Sequence, residues 1–433
     1  MGHEIADVQM PSPRGAPNPV LPAPPVRRLR LAIYRPHANI WFRNTVSRIL
    51  RRDPIPNKYA PLLDYWLGAD VELVFASCLI ASPHWRGWQT RCADALELWL
   101  WRRLNHLHGA RLAFSAAALG RCDVLFLMHY GNFTDETEDM AQHGCPLAEG
   151  LAALPLKKVV HLTHFPYCPA TGAANLAALR PDLLVAENNL AANSAYFRQH
   201  FGHIEVPFLC LPYTAARRFE CRRAFAERTN KLVVTGSITY KMQDPAFRSF
   251  FGTEELQPMR RQLYEEAASF GSEMDCLVSD LNATRVQQRP GLWRRMVRSA
   301  RRISGLQPAD GYYSKDIVEI YNRYTMFAVP EEVCGLPAIG FVEGMACGAA
   351  YVGRIDAMYQ DIGMQPGVHY IAYDGSVNDL MAQVRRYQQD TQLTLQIAQT
   401  GCTFARERLA ASRVYDQFTA QLQQLADSGR VDG

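Results

Sequence analysis

The sequence of 433 residues has 11 cysteines but no C-x-x-C pair and no Cys/His cluster at zinc-ligand spacing. Scattered cysteines in odd number argue against a disulfide framework and read as small buried apolar residues in a reducing compartment. No apolar run reaches the roughly 18 residues that span a bilayer. The N-terminus lacks the basic-then-apolar pattern of a secretory signal, so a cytoplasmic protein is expected. A large charge surplus is missing as well. The 46 Lys and Arg against 42 Asp and Glu leave a formal net charge of +4, too little at this length to imply a nucleic-acid partner. There is neither an internal repeat nor a heptad run.

Apolar residues are plentiful, at 48% against 20% charged, and the length suits two domains, each with its own core. Residues 1–28 hold seven prolines with almost no apolar periodicity. Such a segment cannot offset its ordering entropy and is expected to be disordered. From Leu29 onward, short β-favouring runs alternate with longer helical stretches. "LRLAIYR" (29–35), "VELVFAS" (71–77), "DVLFLMHY" (123–130), "KVVHLTHF" (158–165), "LLVAEN" (183–188) and "VPFLCLP" (206–212) read as strands. "CADALELWLWRRLNHLHG" (92–109) and "NLAANSAYFRQHFG" (189–202) read as helices between them. An Arg-rich stretch over 216–230 reads as a linker. The pattern then restarts with "KLVVTGSITYK" (231–241), "EMDCLVSD" (273–280), "YTMFAVP" (324–330) and "AAYVG" (349–353). Near-continuous apolar strands alternating with helices predict parallel sheets covered on both faces. The fold class is therefore α/β, with two doubly wound domains. They are expected over 29–215 and 231–405, with a closing helix over 406–433 that is free to pack back on the first domain.

Open α/β sheets bind ligands beyond the carboxyl ends of their strands, and two such sheets place a cleft between them. Residues that follow strands are therefore the candidates. His129 follows "DVLFLM" and His164 ends "VVHLTHFPY". An imidazole at either place can hydrogen-bond a sugar or phosphate, or exchange a proton near neutral pH. A histidine tied to backbone is the plainer alternative, and His161, in mid-strand, reads as a packing residue. Asp135 and Glu136 follow His129 without an assigned role. In the second half the strand "KLVVT" ends at Gly236, followed by Ser237 and Lys241. A glycine turn with a nearby lysine can hold an anion, although a solvated loop lysine is common. Further on, "GFVEGMACGAAYVG" (340–353) puts Glu343 where a short helix is expected to start, with Gly348 as its stop. The helix dipole alone explains an acid there. A carboxylate accepting both hydroxyls of a ribose is the functional reading.

The segment "VEGMACGAAYVG" resembles the signature of glycosyltransferases with the GT-B architecture, particularly family 4 (group 1). "PDLLVAENNLAANSAYFRQHFGHIEVPFLCLPY" (181–213), "LVVTGSITYK", "YYSKDIVEIYNRYTMFAVP" and "MQPGVHYIAYDGSVNDLMAQVRRYQQD" are similar to other parts of that family, in the same order. The resemblance spans roughly residues 120–425. It implies two Rossmann-like domains facing each other across a cleft, the first for the acceptor and the second for a nucleotide-sugar donor. It implies transfer of a sugar to a hydroxyl acceptor, with retention of configuration and no metal or other cofactor. By position, Glu343 would bind the donor ribose, with Gly344 beside it in the same helix. Gly236, Ser237 and Lys241 would neutralise the diphosphate, and His164 would contact the donor sugar near its reacting carbon; His129 is kept as a second catalytic candidate from its place after a strand.

The chain departs from that pattern in three places. The family's first glutamate falls eight residues before its second, where this chain has Gly335; Glu331 and Glu332 precede Glu343 by twelve and eleven. Ser237 stands where the phosphate-loop arginine is customary, leaving Arg260 or Arg261 to supply the charge. "RPHANIWFRN" replaces the glycine-rich turn after the first strand. Separately, "RPGLWRRMVRSARRISG" (289–305) carries six arginines with Leu292, Trp293, Met296 and Ile303. It reads as a surface helix, or as a peripheral contact with an anionic inner membrane during synthesis of a surface polysaccharide or glycolipid. A nucleotide-sugar 2-epimerase and a non-catalytic binding protein on the same fold remain alternatives.

Overall fold

The computed structural model describes residues 28–34, 41–44, 58–77, 80, 88–128, 147–163, 165–166, 169–238, 241–242, 244–280 and 315–428. His129, His164, Asp135, Glu136, residues 289–305 and nearly all of the Pro-rich segment lie outside the described residues.

The first sheet contains β1 (Leu29–Tyr34), β2 (Val71–Ala76), β3 (Arg111–Ala113), β4 (Val124–Met128), β5 (Lys157–His161), β6 (Leu183–Ala186) and β7 (Phe208–Cys210). Their spatial order is β3-β2-β1-β4-β5-β6-β7 and every pair is parallel. Leu31 aligns with Leu73 on one side and Val124 on the other. All five residues of β4 are buried, as expected for a strand covered by helices on both faces.

The second half carries β8 (Thr229–Val234), β9 (Ser237–Ile238), β10 (Met274–Cys276), β11 (Ser279–Asp280), β12 (Tyr324–Ala328), β13 (Ala350–Arg354) and β14 (Ile371–Tyr373). Five of these form a parallel sheet ordered β10-β8-β12-β13-β14, while β9 and β11 pair separately. The order reverses between β1 and β4 in the first sheet and between β8 and β12 in the second. At such switch points neighbouring connections depart to opposite faces and leave a crevice. The loops after β8 and β12 are described on both sides of the second crevice.

The helix Ala411–Asp427 packs on the first sheet and the helix Ala60–Gly68. Trp66 Nε1 donates to Thr419 Oγ1 at 3.0 Å, and the Phe418 ring lies 5.9 Å from Phe126. Among the described residues no helix is long and apolar enough to cross a membrane.

Two details differ from the sequence-based expectation. β3 and β14 are three-residue strands, too short to show alternation in the sequence. The helix expected over 189–202 is broken into Leu190–Asn193 and Ala195–Phe201. Ser194 sits between the pieces in extended backbone. Its Oγ accepts from Phe197 N, capping the second piece, and donates to Cys334 O at 3.1 Å.

Candidate active site

The site is built from loops at the carboxyl ends of strands in both sheets. On the second sheet, the helix Gly340–Ala346 begins three residues before Glu343, a turn earlier than expected, so the acid lies inside the helix rather than at its start. Two glycines allow this placement. A Cβ on Gly344 would lie 2.3 Å from the Phe327 ring, and one on Gly340 would lie 2.7 Å from the Tyr321 hydroxyl. Gly344 thus serves close packing of the helix on β12. The helix stops in a Schellman turn. Gly348 has φ +76° and donates to Met345 O at 2.9 Å, while Ala349 N donates to Gly344 O at 3.3 Å. Arg228 Nη2 donates to Cys347 O at 2.8 Å, a positive charge at the helix C-terminus.

Fixed in this way, Glu343 is partly buried and has no hydrogen bond or ion pair to its side chain among the described residues. Burial pushes its carboxyl up to about 7, with Arg218 and Lys58 pulling the other way. The two other candidate acids separate cleanly. Glu331 is structural: its Oε1 accepts from Tyr359 at 2.6 Å, Tyr351 at 3.1 Å and Arg354 N at 3.3 Å. Glu332 opens a small hairpin, donating its N–H to Leu336 O at 3.1 Å and accepting from Gly335 N at 3.0 Å. Gly335 has φ +83°, a conformation that suits glycine and disfavours glutamate at that position. Gln257 donates to Glu332 Oε1 at 3.4 Å. Burial raises the Glu332 carboxyl, partly offset by Lys58 and Arg260.

The turn after β8 has a buried cation beside it. Gly236 has φ +128°, and a Cβ there would meet Arg260 Nε at 3.2 Å. Arg260 is 7% exposed; its Nε donates to Pro330 O at 2.7 Å and its Nη1 to Ser237 O at 3.0 Å. It thereby ties the loops after β8 and β12 across the switch point. Arg261 is instead held by Asp280 at 2.6 Å and Glu255 at 3.4 Å. Lys241 is half-exposed, with its ammonium 2.8 Å from Glu254 and 3.7 Å from Glu255. In this arrangement Arg260, rather than Lys241, is the cation beside Gly236.

The first sheet contributes a buried cluster at the ends of β5 and β6. Glu187 is 2% exposed, and its Oε1 accepts from Tyr59 at 2.7 Å, Tyr213 at 2.7 Å and Thr163 Oγ1 at 3.4 Å. Thr163 N donates to His161 Nδ1 at 3.2 Å, so the imidazole proton sits on Nε2, 3.0 Å from the Tyr59 hydroxyl. Burial lowers the His161 pKa and keeps the ring neutral. Burial works to raise the Glu187 carboxyl, while the hydrogen bonds from Tyr59 and Tyr213 and the charge on Lys58 work to lower it. Lys58 lies near enough to act on His161, Glu187, Glu332 and Glu343 alike, so residues from both halves share one electrostatic environment. The halves are also bonded directly: Asn188 Nδ2 donates to Gly335 O at 2.6 Å, and Asn189 N to Asp361 Oδ2 at 2.8 Å.

No family model matches the chain, and no curated protein matches it. Among solved structures it is similar to Anabaena HepE in complex with UDP-glucose, with a TM-score of 0.52 at 11% identity, covering 92% of this chain and 100% of that one. It is similar also to sucrose-phosphate synthase from Thermosynechococcus elongatus, with a TM-score of 0.51 at 10% identity, covering 93% of this chain and 100% of that one. The chain has the GT-B fold. At these identities the likeness is one of fold.

Of the residues singled out in the sequence, Glu332 and Gly335 share one hairpin, and Arg260 ties Ser237 beside Gly236 to Pro330 just ahead of it. Glu331 and Gly344 are used in packing, and Lys241 faces an acidic pair. Lys58, Tyr59, Glu187, Tyr213 and Arg218 were missed. Glu187 had a readable signal: it is an acid closing an apolar strand, in the same relation to its sheet as the histidines. Lys58 and Tyr59 had none, because only the tertiary fold brings them there.

Proposed function

We propose that the protein is a glycosyltransferase that moves a sugar from a nucleotide-sugar donor to a hydroxyl acceptor. The observation that carries this reading is Glu343, whose carboxylate has no hydrogen bond or ion pair among the described residues and stands at the carboxyl end of the second sheet. A ribose diol supplies the two donors such a carboxylate can accept. Arg260 and the Gly236 backbone would receive the diphosphate, whose charge grows as the glycosidic bond breaks. Glu332 would take the place of the family's first glutamate against the sugar. The acceptor would lie on the first-sheet side of the cleft. Retention of configuration and independence of metal follow from the family resemblance and belong to the proposal. So does a role in surface polysaccharide or glycolipid synthesis.

The test incubates the protein with UDP-, GDP-, dTDP- and CMP-sugars, with and without a saccharide and glycolipid mixture, and with and without EDTA. Nucleotide release that depends on the acceptor and survives EDTA is expected. Conversion of the donor without any acceptor would point to an epimerase, and no turnover of any donor would contradict the assignment.

A further inference from the structure

Glu187 has one oxygen too many for the interactions around it. Three hydroxyls, from Tyr59, Tyr213 and Thr163, all converge on Oε1. Oε2 is buried and has no hydrogen-bond partner among the described residues. A buried acceptor left without a donor is costly, more so on a group held in its charged form. The fold has nonetheless built three donors to hold this carboxylate in place. Asn188, the next residue and 1% exposed, likewise has no donor to Oδ1 among the described residues, its Nδ2 being committed to Gly335 O. The end of β6 therefore offers two enclosed acceptors with no donor, the complement of a ligand rich in hydroxyls.

The position narrows the ligand further. The hairpin that presents Glu332 is bonded to Asn188, and Lys58 acts on Glu187, Glu332 and Glu343 together. Glu187 thus stands across the cleft from the acids assigned to the donor. Resting on the glycosyltransferase reading, the geometry points to Glu187 Oε2 as the acceptor of a hydroxyl of the transferred sugar. His161, Tyr59, Tyr213 and Thr163 are positioning residues that aim this oxygen. The Asn188–Gly335 and Ser194–Cys334 bonds close the hairpin over the end of β6, and the sugar enters as those two bonds part.

The experiment compares each nucleotide with its sugar, UDP against UDP-glucose and GDP against GDP-mannose, by calorimetry on the wild type, Glu187→Gln and Tyr59→Phe. The ratio of nucleotide Kd to nucleotide-sugar Kd isolates the contribution of the sugar. Gln keeps the shape of Glu187 but places an amide donor, or a neutral oxygen, where the charged acceptor stood. In Glu187→Gln the nucleotide Kd stays within about twofold, while the ratio falls by roughly ten- to a hundredfold. Tyr59→Phe removes one donor to Oε1 and leaves Oε2 intact, so it lowers the melting temperature but preserves most of the ratio. A ratio unchanged in Glu187→Gln overturns the assignment while leaving the nucleotide site standing. An equal fall in both variants shows a purely structural cluster and overturns it too. Failure of every nucleotide to bind the wild type removes the donor site itself.

Discussion

Glu343 illustrates how a residue can be placed against its own electrostatic preference. Its carboxyl ordinarily titrates at 4.5, and burial carries it to about 7. A raised carboxyl pKa means that the folded state binds more protons than the unfolded state between those values, so stability falls as pH rises through the window. Glu343→Gln removes that liability. The variant is expected to melt at a higher temperature than the wild type at pH 8, with the difference shrinking toward zero by pH 4.5. Thermal melts across that range check it, and a constant difference at all pH values would contradict it. Binding has the opposite sign. The ionised carboxylate is the form that accepts both ribose hydroxyls, so nucleotide affinity should increase as pH rises from 6 toward 8. A titration series at fixed ionic strength measures this, and a flat profile would count against the ribose contact.

At the scale of elements, small residues and caps decide where the site stands. Gly344 presses the Glu343 helix onto Phe327, and Gly344→Ala is expected to cost about 1–3 kcal/mol through overpacking, read as a lowered denaturation midpoint. Ser194 both caps a helix and holds Cys334 of the hairpin. Ser194→Ala should cost about 1 kcal/mol, measured in the same way. The sequence announced several of these elements and hid others. "LLVAEN" and "YTMFAVP" were legible as strands because apolar runs in covered parallel strands are nearly continuous. Their last residues, Glu187–Asn188 and Val329–Pro330, lie past the strand ends. The Glu343 helix was placed a turn too late, because Gly340 reads as a loop residue until Val329 and Tyr321 are seen against it. The hairpin at Gly335 departs from the family pattern because its positive φ belongs to a different turn.

The whole molecule joins two sheets through a shared cleft and a returning helix. Phe418, on the C-terminal helix, is buried against Trp66 and Phe126 of the first half. Phe418→Ala is expected to cost about 3–5 kcal/mol and to lower the melting temperature of the first half, visible in the fluorescence of Trp41 and Trp66. The two-domain plan could be read from the restart of the strand pattern after the Arg-rich linker. The composition of the cleft could not, since Lys58, Glu187, Arg260 and Glu343 are brought together only by the folded chain. The central claim is that this cleft holds a nucleotide-sugar, with Glu343 on the ribose. The most direct measurement is a thermal-shift screen of wild type and Glu343→Ala against UDP, GDP, dTDP and CMP sugars. At least one is expected to stabilise the wild type, and the variant should lose that response while remaining folded. Stabilisation of neither protein, or of both equally, would contradict the account.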